Sequence, residues 1–200
     1  MSRFLLGLLV AVLAAALPGY AQEVRSPDPR AATESALLDL LRAGGQVVFI
    51  RHATTVPGVG DPERFRMEDC ATQRNLSEEG REQARRLGEF LREGRIPIER
   101  VVSSPWCRCL DTAMLAFGRV DERSGALSNL FGRRDNAESQ VRALRPRIGG
   151  WRGQGNLVLV SHGSVAGALA GIHPAQGEIV VLTPLGGERF RIAGRLTSTR

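Results

Sequence analysis

The chain has 200 residues, of which 42% are hydrophobic and 24% are charged, and its formal net charge is +6. This length and apolar content suit one globular domain with a sizeable core. The basic residues are arginines spread along the chain without a long run and without interleaved aromatic residues. That distribution argues against nucleic acid as a partner and favours a small anionic ligand or an acidic surface.

The first 21 residues have the pattern of a secretory signal peptide. Arg3 precedes an apolar run over 4–17, and Ala21 follows a short segment that contains a proline and a glycine. The apolar run is shorter than the ~20 residues that a membrane-spanning helix needs. We therefore expect a signal peptide at 1–21, a flexible lead-in at 22–32 and one domain at 33–200. The mature protein is expected to be periplasmic or secreted, with no stable membrane span after signal cleavage.

The chain contains three cysteines, Cys70, Cys107 and Cys109. Export implies an oxidising compartment, which favours one disulfide and one remaining thiol. Cys107 and Cys109 stand too close together at the start of a helix to bridge each other easily, so Cys70 is expected to pair with one of them. We take Cys107 as the partner and keep Cys109 as the alternative. A Cys-x-Cys zinc site is a rival interpretation, but it lacks histidines or carboxylates at ligand spacing.

Apolar periodicity and capping residues predict alternating helices and strands along the domain. In the first half they predict a helix at 33–42, a strand at 47–51, a long irregular loop at 54–75, a helix between Ser77 and Gly94, a strand at 99–104 and a helix at 107–117. In the second half they predict a helix at 137–148 limited or kinked by Pro146, an apolar strand from Asn156 that ends at His162, a helix at 164–170 and a strand at 178–183. This alternation predicts a three-layer α/β/α sandwich with a mostly parallel central sheet.

Three predicted strands end in residues that suit phosphate chemistry. The first strand ends in Arg51 and His52, the second leads through Ser103-Ser104-Pro105 to Arg108, and a later strand ends in Ser161 and His162. The carboxyl ends of parallel strands share one edge of the sheet, so these side chains can converge. One histidine can attack phosphorus while arginines and the second histidine hold the phosphate oxygens.

Two further residues are candidates for substrate binding at this edge. Gly163 directly precedes the predicted helix at 164–170, at whose start backbone N–H groups can bind an anion. Thr55 follows the first strand and can hydrogen-bond phosphate, although a β-branched residue at a strand end is equally often structural.

Four ordered motifs resemble the histidine phosphatase superfamily, which is phosphoglycerate-mutase-like in fold. They are Arg51-His52-Ala53, Leu76-Ser77-Glu78-Glu79-Gly80, the segment from Ser103 to Arg108 with Thr112-Ala113, and Ser161-His162-Gly163. The resemblance extends from about Val47 to the strand near Leu182. It implies that His52 is the nucleophile and that Arg51, Arg108 and His162 form the phosphate pocket. It also implies no cofactor and no metal.

The sequence departs from the family pattern at two positions. Ala53 replaces the usual glycine, and Asn129 stands where many members carry a general-acid glutamate. An asparagine cannot donate a proton as a carboxylic acid does. Either the acid is supplied from elsewhere, with Asp61, Asp69 and Glu178 as candidates, or the leaving group needs little help. Compact members that act on phosphohistidine also lack the acid.

These observations predict an exported phosphatase that hydrolyses a phosphate monoester or phosphoramidate through a phosphohistidine intermediate. The expected partner is a phosphorylated small molecule or an envelope phosphosugar. The alternative is a catalytically weak protein of the same fold that binds a phosphate ligand. The oligomeric state, the pH optimum and the natural substrate are left open.

Overall fold

A computed structural model describes residues 33–130 and 134–198, so the expected signal peptide and lead-in lie outside the described residues. Six strands form one sheet in these ranges: β1 (Val47–Arg51), β2 (Ile98–Ser103), β3 (Glu122–Arg123), β4 (Asn156–Ser161), β5 (Ile179–Pro184) and β6 (Phe190–Leu196). The strand order is β3-β2-β4-β1-β5-β6. The first four strands run parallel, whereas β5 is antiparallel to β1 and β6 is antiparallel to β5.

Five α-helices cover the two faces of this sheet. They are α1 (Glu34–Arg42), α2 (Glu78–Glu93), α3 (Cys107–Phe117), α4 (Ala137–Gly149) and α5 (Gly163–Ala170). The predicted three-layer α/β/α sandwich with a mostly parallel sheet is confirmed.

Alternate residues of each central strand belong to different halves of the core, because successive side chains of a strand point to opposite faces. In β1, Val48 and Ile50 pack with α1, α2 and α3. Val47 and Phe49 pack with α4 and α5 on the other face. Burial on both faces explains why β1 and β4 are continuous apolar runs in the sequence.

The boundaries of α1 and α2 follow from their capping residues. Thr33 accepts a hydrogen bond from the Ala36 N–H, and Ser77 accepts one from the Gly80 N–H at 3.1 Å. Gly80 has a second role, because a Cβ atom there would lie 1.8 Å from the Thr54 carbonyl oxygen. The glycine of the Leu-Ser-x-x-Gly motif therefore lets α2 approach the chain just after the first strand.

Two strands differ from the sequence prediction. β3 and β6 were not predicted; β3 has two residues, and β6 alternates apolar residues with arginine and glycine on a half-exposed edge. The helix α4 agrees with the predicted helix at 137–148 to within one residue, and Pro146 lies in its last turn. In residues 33–130 and 134–198, every helix is too short or too polar to cross a membrane.

Candidate active site

His52 follows directly on β1 and is 2% exposed. Its Nδ1 atom lies 2.9 Å from the carbonyl oxygen of Ala53. A carbonyl oxygen can only accept a hydrogen bond, so Nδ1 must carry the proton and donate it. The Nε2 atom is therefore left with its lone pair, which is the form of an imidazole that acts as a nucleophile.

The surroundings of His52 keep it uncharged. Burial is the main cause that lowers the pKa of His52 to about 3, and the positive charges of Arg108, Arg51 and Arg74 lower it further, although the hydrogen bond to the Ala53 carbonyl opposes them. An imidazole with this pKa is neutral throughout the range in which most enzymes work. His52 is thus available as a nucleophile without first losing a proton.

Ala53, which stands where the family pattern has glycine, is buried without strain. Its N–H donates a hydrogen bond of 3.0 Å to Thr112 Oγ1, and that hydroxyl donates to the Arg108 carbonyl at 2.7 Å. Among the described residues, Arg95 is the non-glycine residue with a positive φ angle, so Ala53 has ordinary backbone angles. The Thr112 hydroxyl therefore connects the nucleophile's backbone to the start of α3.

His162 lies at the end of β4 and caps the N-terminus of α5. The rings of His52 and His162 meet edge to face with centroids 5.3 Å apart. The Nε2 atom of His162 lies 3.0 Å from Ser104 Oγ, and its Nδ1 atom lies 3.4 Å from Arg108 Nη2. Burial, followed by the charge of Arg108, lowers the pKa of His162 well below its ordinary value. This second histidine is also neutral.

Arg108 lies in the first turn of α3 and its side chain is 1% exposed. Its guanidinium carbon sits 4.5 Å from the centre of the Trp106 ring, a cation–π contact. Its two terminal nitrogens donate to Asp61 Oδ1 and Oδ2 at 2.8 and 3.0 Å. A buried guanidinium is costly without an anion, so Asp61 provides the counter-charge in this structure.

Two more arginines surround the histidines. Arg51 donates to the Pro174 carbonyl at 2.9 Å, and Arg74 donates to the Val59 carbonyl at 3.2 Å. Burial, together with the other arginines nearby, lowers the pKa of both guanidinium groups. Within the described part of the chain, the Nε atoms of Arg51, Arg74 and Arg108 are buried and have no acceptor. Unsatisfied buried donors are rare, and here three lie around one site. An anion with several oxygens could satisfy them.

These side chains surround a cavity of about 340 Å³. It is lined by Arg51, His52, Gly60, Asp61, Arg74, Arg108, Asn129, His162, Gly163, Ser164 and His173. Three guanidinium groups face one carboxylate there, and both buried histidines are neutral. The cavity therefore carries excess positive charge and suits an anion such as a phosphate group.

The structure brings together the four residues of the predicted phosphate site, and Gly163 and Asp61 also line the cavity. Thr55 lies outside it. Thr55 is buried, and its Oγ1 accepts a hydrogen bond of 3.1 Å from Gln176 Nε2. This hydroxyl connects two loops, so the substrate-binding position suggested for Thr55 is not supported by its location.

The other two candidate acids are also outside the cavity. Asp69 accepts a hydrogen bond from the Ala71 N–H at 3.1 Å and pairs with Arg66. Glu178 accepts hydrogen bonds from the Ala175 N–H at 2.6 Å and from Arg195 Nη2 at 2.7 Å. Burial alone would raise the pKa of Glu178, but these hydrogen bonds lower it overall. Glu178 is therefore an ionised structural carboxylate rather than a proton donor.

Sequence reasoning missed four residues that line the cavity, Gly60, Arg74, Ser164 and His173. Arg74 had a local signal, because it stands just before the Leu76-Ser77 motif. Ser164 begins α5 after the Ser-His-Gly motif, and its hydroxyl donates to Asn129 Oδ1 at 2.9 Å. His173 lies between α5 and β5, and no motif marked its position.

The cysteines form the expected bond. Cys70 and Cys107 are joined by a disulfide whose Cα atoms are 5.7 Å apart, and Cys109 is a free, buried thiol. Burial raises the pKa of Cys109 to about 12, so this thiol is not reactive at neutral pH. The disulfide ties the loop after β1 to the start of α3, next to Arg108.

In the described ranges no group of three or more histidine, cysteine or acidic side chains could hold a metal ion.

The fold and the cavity define an α/β protein with two histidines and a cluster of arginines at the carboxyl edge of its parallel strands. Residues 47–130 match the family model of the histidine phosphatase superfamily, branch 1. Over these residues the chain has the sequence features of that superfamily, and this match supports a histidine-type phosphatase. The resemblance noted in the sequence is thus confirmed.

Solved structures of the same fold are similar to this chain at low identity. They include the protein histidine phosphatase SixA complexed with tungstate, with a TM-score of 0.55 and 19% identity over 76% of this chain and 97% of that one. A mycobacterial glucosyl-3-phosphoglycerate phosphatase complexed with VO3 has a TM-score of 0.55 and 21% identity, over 74% and 97% of the two chains. A phosphoserine phosphatase mutant from Entamoeba histolytica, in complex with phosphoserine, has a TM-score of 0.51 and 14% identity, over 77% and 98%. No curated relative matches the sequence significantly.

Proposed function

We propose that this protein hydrolyses a phosphate monoester or phosphoramidate through a phosphohistidine formed on His52. The observation that carries the proposal is the hydrogen bond of 2.9 Å from His52 Nδ1 to the Ala53 carbonyl. It leaves Nε2 unprotonated in a cavity rich in guanidinium groups. A neutral imidazole held in one orientation beside an anion-binding cluster is the arrangement that phosphoryl transfer to nitrogen requires.

The rest of the cavity supports binding of the transferred phosphoryl group. Arg51, Arg74 and Arg108 supply planar guanidinium groups with several N–H donors each. His162 adds a ring nitrogen, and the N-terminus of α5 at Gly163 adds backbone donors. In phosphoryl transfer most of the catalysis consists of positioning the group and neutralising its charge. These residues are assigned that role.

The proposed reaction has two steps. His52 Nε2 attacks phosphorus, the N–P bond forms as the bond to the leaving oxygen or nitrogen breaks, and the leaving group takes up a proton. Water then attacks phosphorus, the N–P bond breaks and His52 Nε2 regains its lone pair. Inorganic phosphate leaves, and the proton lost by the water enters the solvent or a nearby base. No redox partner or metal takes part in either step.

The proposed substrate is a phosphorylated small molecule, with an envelope phosphosugar as the specific hypothesis. The cavity of about 340 Å³ has room for a phosphate group and part of the molecule attached to it. The similar structures named above include enzymes described as acting on a glycosylated phosphoglycerate, on phosphoserine and on a protein phosphohistidine. They support the class of substrate, and the envelope location is a further hypothesis.

A periplasmic or secreted location is part of this proposal. It is supported by the signal-peptide pattern of residues 1–21 and by the Cys70–Cys107 disulfide, since such bonds persist in oxidising compartments.

A chromogenic assay with 4-nitrophenyl phosphate tests the proposal. Wild-type protein should hydrolyse the ester, and a brief reaction with labelled substrate should yield a phosphoprotein that is stable in base and labile in acid. An absence of both turnover and phosphoprotein would instead support the alternative, a weakly catalytic phosphate-binding protein. Binding of inorganic phosphate, measured by calorimetry, would be expected in either case.

A further inference from the structure

The carboxylate of Asp61 is bound to the Arg108 guanidinium, the group that the proposed function assigns to phosphate binding. Its two oxygens accept hydrogen bonds of 2.8 and 3.0 Å from the terminal nitrogens of Arg108. The Asp61 side chain is 10% exposed and the Arg108 side chain 1%. This paired, two-point contact is the geometry in which a guanidinium also binds two phosphate oxygens.

The pairing follows from the cost of a buried charge. Without a bound anion, the Arg108 guanidinium would be left uncompensated among Trp106 and His162, which is strongly unfavourable. Asp61 supplies this counter-charge in the structure. A phosphate group can supply the same charge, so the two anions compete for one guanidinium. Substrate binding therefore requires Asp61 to give up Arg108.

Other contacts keep the displaced carboxylate inside the cavity. Asp61 Oδ2 lies 3.4 Å from the side-chain nitrogen of Asn129, and Oδ1 lies 3.4 Å from the backbone N–H of Arg74. The loop that carries Asp61 is fixed at its ends by the Thr55–Leu76 bridge and by the disulfide at Cys70. Asn129 stands where the family pattern has its glutamate, so the carboxyl group of Asp61 reaches the region from which that acid acts.

We propose that Asp61 is the general acid and base of this site and that substrate binding converts it to the acid form. The proposal rests on the proposed function. In this structure Asp61 is the partner of Arg108; when the substrate phosphate takes Arg108, the displaced carboxyl group lies beside a dianion. The nearby dianion and the loss of Arg108 both favour the neutral carboxyl group, so Asp61 takes a proton from solvent.

The charged and titratable groups that face Asp61 come from every element around the cavity. They are Arg51 and His52 at β1, Arg74 in the same loop, Arg108 in α3, His162 at α5 and His173 before β5. The arginines oppose protonation, and the phosphate dianion neutralises them when it binds. Among the described residues Asp61 supplies the cavity's one carboxyl group, and comparison of wild type with Asp61→Asn distinguishes proton uptake by Asp61 from uptake by the buried neutral histidines.

The catalytic step then balances. The Asp61 carboxylic acid gives its proton to the leaving oxygen as the P–O bond breaks and the bond from phosphorus to His52 Nε2 forms. In the second step the Asp61 carboxylate accepts a proton from the attacking water as the N–P bond breaks. Release of phosphate frees Arg108, and the proton on Asp61 returns to solvent when the ion pair forms again.

Asp61→Asn tests the acid role through its dependence on the leaving group. We expect hydrolysis of an alkyl ester such as phosphoserine to fall about 100-fold or more, because a poor leaving group needs a proton. Hydrolysis of 4-nitrophenyl phosphate should fall only a few fold. Glu63→Gln, an exposed acid-to-amide change two residues along the same loop, is the matched control and should change neither rate.

Binding of inorganic phosphate provides a readout that needs no turnover. Calorimetry at pH 8 in buffers of different ionisation enthalpy should show uptake of about one proton by the wild-type protein. Asp61→Asn should take up no proton and should bind phosphate about tenfold more tightly, because no carboxylate has to be displaced from Arg108. If Asp61→Asn fails to fold, Asp61→Ser replaces it, because the comparison with a variant that lacks the carboxyl group assigns the proton.

The outcomes separate this proposal from the proposed function. If wild type and Asp61→Asn hydrolyse both esters at equal rates, or if wild type takes up no proton on binding phosphate, Asp61 is not the acid and the phosphatase assignment stands. If wild type forms no phosphoprotein and hydrolyses neither ester, the proposed function fails, and the role of Asp61 fails with it.

Discussion

The ends of β1 and β4 carry the same pattern, an apolar strand followed by a histidine, but they hold their histidines differently. The two strands are parallel neighbours, with Arg51 paired to Ser161. His52 is bonded to the Ala53 carbonyl, which can only accept a hydrogen bond. His162 is bonded to the Ser104 hydroxyl, which can either accept or donate. The partner of His52 fixes one tautomer, whereas the Ser104 hydroxyl is compatible with either tautomer of His162.

This difference separates the roles of two otherwise similar residues. A fixed Nδ1 proton keeps the Nε2 lone pair of His52 available for attack on phosphorus. In this structure His162 Nδ1 faces a donor, Arg108 Nη2, and must accept from it. When phosphate enters, Ser104 can donate to Nε2, and Nδ1 can then donate to a phosphate oxygen. Both histidines therefore lie close to the phosphate, and the hydrogen-bond partner of each ring decides which of them attacks phosphorus.

Replacing each histidine in turn is the strongest test of this comparison. His52→Ala should lower kcat by about 1000-fold or more and abolish the phosphoprotein, because no other residue is placed to carry the phosphoryl group. His162→Ala should lower kcat/KM by about 10- to 100-fold while the phosphoprotein still forms. Brief reaction with labelled substrate, quenched in base, measures both. A phosphoprotein in His52→Ala and none in His162→Ala would reverse the two roles.

Arg108→Lys removes the guanidinium group that contacts His162 and leaves the nucleophile His52 in place. A single ammonium group cannot reproduce the two-point contact of a guanidinium, so we expect kcat/KM to fall by about 10- to 100-fold. Labelling of His52 should persist at high substrate concentration. Arg119→Lys, which changes a half-exposed arginine paired with Asp121, is the matched control. Activity of Arg108→Lys within about twofold of wild type would place Arg108 outside the phosphate site.

Most of the fold and the centre of the site were predictable because they depend on local patterns. Continuous apolar runs mark β1 and β4, and the site residues follow those strands directly along the chain. The edge strand β6 was not predictable, since Arg191, Gly194 and Arg195 interrupt its apolar residues and its pairing with β5 comes from tertiary contacts. The position of Asp61 was equally hidden, because the path of an irregular loop depends on distant partners such as Arg108.

The two histidines also predict how stability depends on pH. Burial lowers the pKa of His52 to about 3 and that of His162 well below its ordinary value, whereas an unfolded histidine titrates near 6.5. Below pH 6.5 the unfolded chain thus binds protons that the folded chain does not, so the free energy of unfolding falls as the pH drops towards 3. Above pH 6.5 the contribution of the two histidines to stability is fully present. Each neutral histidine contributes up to about 1.4 kcal/mol per pH unit, a tenfold change in the unfolding equilibrium.

Urea unfolding at pH 7.0, 6.0 and 5.0 measures this slope. His52→Gln should reduce the loss of stability between pH 6 and pH 5 by about 1 kcal/mol relative to wild type, because one of the two groups no longer titrates. His162→Gln should act similarly. Equal slopes in wild type and both variants would show that the histidines are not held neutral by the fold.

Ser104→Ala is expected to have the smallest effect on kcat/KM. It is also the most specific test of the difference between His52 and His162. This change removes the hydroxyl 3.0 Å from His162 Nε2 and leaves the weaker Cys109 thiol at 3.4 Å as the partner of that nitrogen. It does not touch the Ala53 carbonyl that fixes His52. We expect kcat/KM to fall about three- to tenfold, as for the loss of one buried hydrogen bond, with most of the change in KM and in phosphate affinity.

Ser103→Ala is the matched control, since Ser103 is equally buried and its hydroxyl donates only to the Ser104 carbonyl, at 2.9 Å. Ser104→Thr keeps the hydroxyl and should recover much of the lost affinity. If Ser104→Ala and Ser103→Ala behave alike, or if Ser104→Ala abolishes the phosphoprotein while phosphate still binds, the distinction between a fixed and a switchable histidine is wrong.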